Sequence, residues 1–140
     1  MIELIFLIVV IGILATVAIP RYFSVKNESD TMMAKTFAGT MTRTVGHTMW
    51  SRSLADGYNG SLKYGGDQTK FGGKPLDFYV DIPVQFDASS VNFNACIDGN
   101  GTANPFLTHA TGYEYNLFCR DGNVTTAPKF VADKNATYTF

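Results

Sequence analysis

The sequence predicts an α+β fold: a long N-terminal α-helix, apolar in its first half, whose second half packs on a small antiparallel β-sheet. Three observations predict it. Residues 4–19 contain no charge. An apolar stripe at Met33, Phe37, Met41, Val45 and Met49, with Ala34 and Ala38 beside it, carries a helical period well beyond Pro20. Short alternating segments between turn residues then fill the C-terminal part. At 140 residues and 15.3 kDa the chain holds one domain and a segment outside its core. Eleven Lys+Arg against twelve Asp+Glu give a net charge of −1, which argues against a nucleic-acid partner.

The apolar segment, residues 1–20, is expected to be a transmembrane or filament-core helix. Nineteen helical residues span about 28 Å, close to a hydrocarbon core. Arg21, Lys26 and Lys35 follow, with Tyr22 and Phe23 placed as an interfacial belt. A secretory signal peptide would need a basic start and a small-residue cleavage site, and these residues show neither. Glu3 is the exception to the pattern, because a carboxylate in an apolar helix is costly in lipid and marks a function or a partner. Gly12 and Pro20 bracket residues 13–19. Pro20 removes one amide donor and crowds the carbonyl of Thr16, and a helical glycine costs about 1 kcal/mol relative to alanine. A kink is therefore permitted, with the Thr16 hydroxyl available to freed backbone groups.

Ile2-Glu3-Leu4-Ile5, Gly12-Ile13-Leu14-Ala15 and Ala18-Ile19-Pro20-Arg21 together resemble the N-terminal signature of bacterial type IV pilins, of the type IVa kind, and the related type II secretion pseudopilins. Glu3 precedes Gly12 by nine residues and Pro20 by seventeen, as in that family. The likeness covers roughly the first 25 residues. It implies that two residues, typically Phe-Thr, precede Met1 in the processed form, the first of them methylated. It implies a pilin-like fold and a helical homo-oligomer, the type IV pilus, used for adhesion, motility or uptake. Glu3 would pair with the N-terminal amine of a neighbouring subunit, and the stretch between Gly12 and Pro20 would lose helical structure in the filament. The implied partners are the inner membrane before assembly, a prepilin peptidase and the pilus assembly machinery, with the finished filament outside the cell. The alternative within the same resemblance is a pseudopilin of a type II secretion system.

The helix is expected to reach about Ser53, a length near 80 Å at 1.5 Å per residue, more than a chain of this size can cover. Its methionines read as core fillers rather than metal or redox groups. Gly39 and Gly46 either permit a close approach or are simply tolerated. Residues 54–140 are expected to form a globular head. Residues 54–75 have loop composition, and their Gly-rich runs lack the Gly-Lys-Ser/Thr tail of a phosphate loop. Alternation predicts strands at 78–82, 91–97, 113–119 and, more weakly, 129–132, arranged as an antiparallel meander on the helix stripe.

Two cysteines, Cys96 and Cys119, read as one disulfide formed in an oxidising compartment, with a pair of buried thiols as the alternative. The bridge would close a loop worth about 3 kcal/mol. Each cysteine opens the same phrase, Cys96-Ile-Asp98-Gly99-Asn100-Gly-Thr102 and Cys119-Arg-Asp121-Gly122-Asn123-Val-Thr125. Three readings compete for it: a pair of similar turns, a calcium loop from Asp98, Asn100, Asp121 and Asn123, and glycosylation. Asn27, Asn59, Asn100, Asn123 and Asn135 all satisfy Asn-x-Ser/Thr, and Asn100, Asn123 and Asn135 also carry Asp two residues earlier. That acidic position resembles the extended acceptor of bacterial oligosaccharyltransferases and ranks these three first. No nucleophile–base–acid set, metal-ligand spacing or cofactor fingerprint is present. His109 and Glu114 read as solvated surface, so a structural protein without cofactor is expected rather than an enzyme.

Overall fold

The computed structural model describes every residue, Met1–Phe140, and has an α+β layout. It divides into two compact units, Met1–Met32 and Met33–Phe140. Helix α1 is Ile2–Thr40. Within Met1–Met32 no residue is buried. An 18-residue window there has mean hydropathy 2.9 and is 0% buried. A helix that is apolar all round has no polar face to turn to water, so its solvent must be something else. The helix continues through Pro20 without a break, and the Thr16 hydroxyl donates to the Ile13 carbonyl at 2.7 Å. Residues 13–19 are thus helical in the single chain.

In Met33–Phe140 the helical stretch continues as the remainder of α1, a π-helical turn at Met41–Val45, and α2 at Gly46–Ala55, two residues past the expected end. The π turn has a geometric reason. Residues four apart in an α-helix drift by about 40° per step, so an every-fourth stripe would wind off its face over several steps. Closing Gly46 N–H onto the Met41 carbonyl inserts one residue into the turn and brings the stripe back. Phe37, Met41, Val45 and Met49 are accordingly buried, with Ala34 and Ala38. Met33 is not; it is 47% exposed, and the stripe starts one residue later than its spacing implies. Gly46 does permit close approach, because Phe130 and Pro128 side chains lie against it, whereas nothing packs on Gly39.

The sheet is the expected antiparallel meander, built from partly different strands. It runs β4 (Pro105–Leu107), β5 (Asn116–Arg120), β6 (Lys129–Asp133), with Leu117 opposite Ala132 and Cys119 opposite Phe130. Two short pairs accompany it: β1 (Lys70–Phe71) with β2 (Lys74–Pro75), and β3 (Thr102–Ala103) with β7 (Tyr138–Thr139). Thr42 on the π turn accepts from Phe130 N–H at 2.9 Å and donates to the Phe130 carbonyl at 3.1 Å. Its hydroxyl thereby serves the outer edge of β6 as a neighbouring strand would.

Two expected strands do not form. Over 78–82 the chain instead leaves a 3-10 turn at Leu76–Phe78, and the amides of Tyr79 and Val80 both return to the Leu76 carbonyl. Over 91–97 a 3-10 turn at Phe93–Ala95 replaces the strand, because the Asn92 side chain takes the Asn94 amide at 3.0 Å. Short polar side chains offer the backbone this local alternative to a ladder. The strand expected at 113–119 starts only at Asn116, and Asn116 to Cys119 are all buried rather than alternating. The expected strand at 129–132 is present as β6. Behind the sheet the core is a run of rings, Phe71–Phe93–Phe106–Phe130, with centroids 6.1, 5.2 and 5.4 Å apart.

Candidate functional site

Two groups of residues stand out, one in each unit. In Met1–Met32, Glu3 lies in the first turn of α1, Gly12 nine residues on, and Pro20 near the basic and aromatic residues Arg21, Tyr22 and Phe23. All are exposed. Glu3 and Pro20 stand about 25 Å apart along a helix of 1.5 Å rise. No salt bridge of the chain includes Glu3. A methyl group at Gly12 would meet nothing within 4 Å. The segment is long and apolar enough to cross a membrane by length and composition. Within residues 1–20 Glu3 is the one carboxylate, set amid aliphatic side chains.

The second group lies where the two cysteine phrases meet. Cys96 and Cys119 form a disulfide, and both are buried. Ile97 N–H donates to the Cys119 carbonyl at 3.1 Å, and Asp121 N–H donates to the Ile97 carbonyl at 2.8 Å. Those bonds make an isolated parallel bridge between Ile97 and Arg120. The repeated phrases therefore run side by side in the same direction.

Their two aspartates part company there. Asp98 faces solvent and pairs with Lys63 at 3.3 Å. Asp121 turns inward and is only 6% exposed. Its carboxylate accepts from Ser61 Oγ–H and Leu62 N–H, each at 2.6 Å, and from Gly122 N–H at 2.9 Å. Burial pushes the Asp121 carboxyl above its ordinary value, against the opposing pull of those donors and of Lys63. The same corner ties in α2: Ser53 Oγ–H donates to the Ser61 carbonyl, and Trp50 Nε1–H donates to the Asn123 carbonyl, both at 2.7 Å. Backbone approaches backbone so closely that a Cβ on Gly60 would sit 2.4 Å from the Asn123 oxygen. Asp121 is thus the peg of a structural joint. Asp121 is saturated by donors while Asp98 pairs with Lys63, and no group of three His, Cys, Asp or Glu side chains converges.

Sequence reasoning read the two Asp-Gly-Asn phrases alike, as turns, a calcium loop or glycan sites, and missed the joint. Its signal was Gly60 and Gly122, spaced from a tryptophan and two serines by no local rule. All five sequon asparagines are exposed. Asn27 lies inside α1, and Asn59 has φ +57° in a tight turn. Asn100 and Asn123 close the paired phrases, and Asn135 follows β6 with its amide donated to Asp133 at 2.9 Å. His109 and Glu114 do not form a pair: the His109 ring faces the Ala110 carbonyl, and Glu114 binds Lys134, which holds its carboxyl below the usual range. Two surface depressions measure about 180 Å³ each, below the ~300 Å³ at which small-molecule pockets begin. No family model, curated protein or solved structure matches the chain.

Proposed function

We propose that this chain is the repeating subunit of a type IV pilus, held in the inner membrane before assembly and polymerising through its apolar helix into an extracellular filament. The observation that carries the reading is the uncovered helix of Met1–Met32. Ile2, Leu4, Ile5, Phe6, Leu7 and Ile8 are all more than half exposed, and so are most apolar residues up to Val25. Burying each is worth about 1.5–3 kcal/mol, so the segment commands on the order of tens of kcal/mol if lipid or like helices cover it. A helical filament supplies such cover without limit, because each copy presents the same surface to the next. Glu3 gives that surface register. An apolar helix slides freely against its neighbours, whereas a carboxylate that must find a cation on a neighbouring copy fixes one offset.

The test is Glu3→Ala in cells that assemble the filament. The subunit should insert in the membrane with its disulfide formed, and the mass of sheared surface filaments should fall at least tenfold. Filaments at the parental yield, or surface filaments whose main protein is another chain, would remove the reading.

A further inference from the structure

Within Met33–Phe140, two surface features that share no residue complement each other in shape and charge. The first is a depression of about 180 Å³ with Leu76, Ile82 and Val91 in its lining and Asp77 and Ser89 beside them. It is too small for a drug-sized ligand and matches a single aliphatic side chain. Its segment is acidic. Asp77, Asp81 and Asp87 are exposed, and none of them takes part in a salt bridge. Ser89 donates its hydroxyl and its amide to Asp87 Oδ1 at 2.6 and 2.9 Å, which holds that carboxyl below its ordinary value and keeps it charged. Lys70, also at the depression, is already taken by Asp67 at 3.6 Å.

The second feature is the turn between β5 and β6. Val124 stands on it, 59% exposed. The turn is preset, because Asn123 Oδ1 accepts from the amides of Thr125 and Thr126 at 2.9 and 2.8 Å. At its base Arg120 and Lys129 lie directly opposite each other across the two strands. Like charges in that register repel, and neither cation has a carboxylate partner. Arg120 reaches Asn100 Oδ1 at 3.5 Å, and the acid next to it, Asp121, is turned inward onto Ser61 and Leu62. An exposed aliphatic side chain flanked by unneutralised cations thus sits on the same chain as an apolar depression flanked by unneutralised acids.

We propose that the Val124 turn of one copy seats in the Leu76–Val91 depression of the next, with Arg120 and Lys129 set against Asp77, Asp81 and Asp87. Because the two patches differ, the contact is heterologous: each copy offers a free turn and a free depression to further copies, and the chain of contacts does not end at a dimer. The valine supplies the buried area, and the charges supply register and exclude the reversed pairing, which would set like against like.

This inference rests on the filament reading above, and the experiment separates the two. Sheared filaments of the full chain carrying Val124→Cys and Ser89→Cys together, mildly oxidised, should give a ladder of dimers, trimers and longer species on a non-reducing gel. Peptide mapping should join position 124 of one copy to position 89 of another, with the Cys96–Cys119 bridge recovered. Either substitution alone should leave monomers. Adding Lys129→Glu should cut the linked fraction about threefold, and Asp77→Lys on top of it should bring the ladder back. Filaments without a ladder, linkage that stops at dimers, or linkage indifferent to Lys129→Glu overturns the contact and leaves the filament standing. Cells that make no filament from the parental chain remove the filament reading, and this contact with it.

Discussion

Two opposing effects act on the proton of Asp121. Three donors favour the carboxylate, and removal from water favours the acid; burial prevails, so the folded pKa stands above the ordinary 3.8. A raised carboxyl binds its proton more tightly in the folded state than in the unfolded one. Its contribution to stability is therefore complete below about pH 4 and is lost as pH rises through the folded value. Relative to Asp121→Asn, which cannot ionise, the parent should lose denaturation midpoint as pH rises above about 4; a pH-independent difference would contradict the burial argument. Asp121→Ala should be worse at every pH, by about 3 kcal/mol, because the amides of Leu62 and Gly122 and the Ser61 hydroxyl would lose a common acceptor.

Between helical elements, the same substitution has opposite consequences at two glycines. Gly12 has open space around it, and its replacement by alanine should raise helix stability by about 1 kcal/mol, seen as slower amide exchange in detergent. Gly46 closes the π turn, and an added Cβ would lie 2.6 Å from the Met41 carbonyl oxygen, with Phe130 and Pro128 behind it. Backbone cannot withdraw there without unwinding the turn that aligns the stripe. Gly46→Ala should therefore destabilise the chain by about 1–3 kcal/mol despite its better helix propensity. Calorimetry or denaturant titration of the two variants decides between propensity and packing by the sign alone.

At the scale of the whole chain, burial begins only beyond Met33, although Phe78, Val84 and Val124 stay exposed further on. Every buried residue lies in Met33–Phe140, together with the disulfide. A fragment of residues 33–140 should therefore be soluble without detergent and unfold cooperatively. It should keep its bridge against mild reductant, because Cys96 and Cys119 are 1% and 0% exposed. The full chain should need lipid or detergent to stay dispersed. An insoluble or molten fragment would show that the first segment contributes to folding the second. Reduction should remove about 3 kcal/mol, the entropy of closing a loop with a sequence separation of 23.

Hydropathy and period were enough to mark the long helix, most of its buried stripe and, to within two residues, its end, because burial along a helix follows a nearly fixed angular repeat. The pairing of Cys96 with Cys119 was legible because no third cysteine competes. Of Glu3, Gly12 and Pro20 only the identities and the spacing could be read. What the sequence left open depended on contacts between distant residues. Alternation at 78–82 and 91–97 is compatible with a strand until Leu76 and Asn92 capture the local amides. Two identical Asp-Gly-Asn phrases became one solvated turn and one buried joint only because the Ser61 hydroxyl and the Leu62 amide reach Asp121 across 60 and 59 positions. Local chemistry sets what a residue can do, and the packing of remote backbone against it selects which of those things it does.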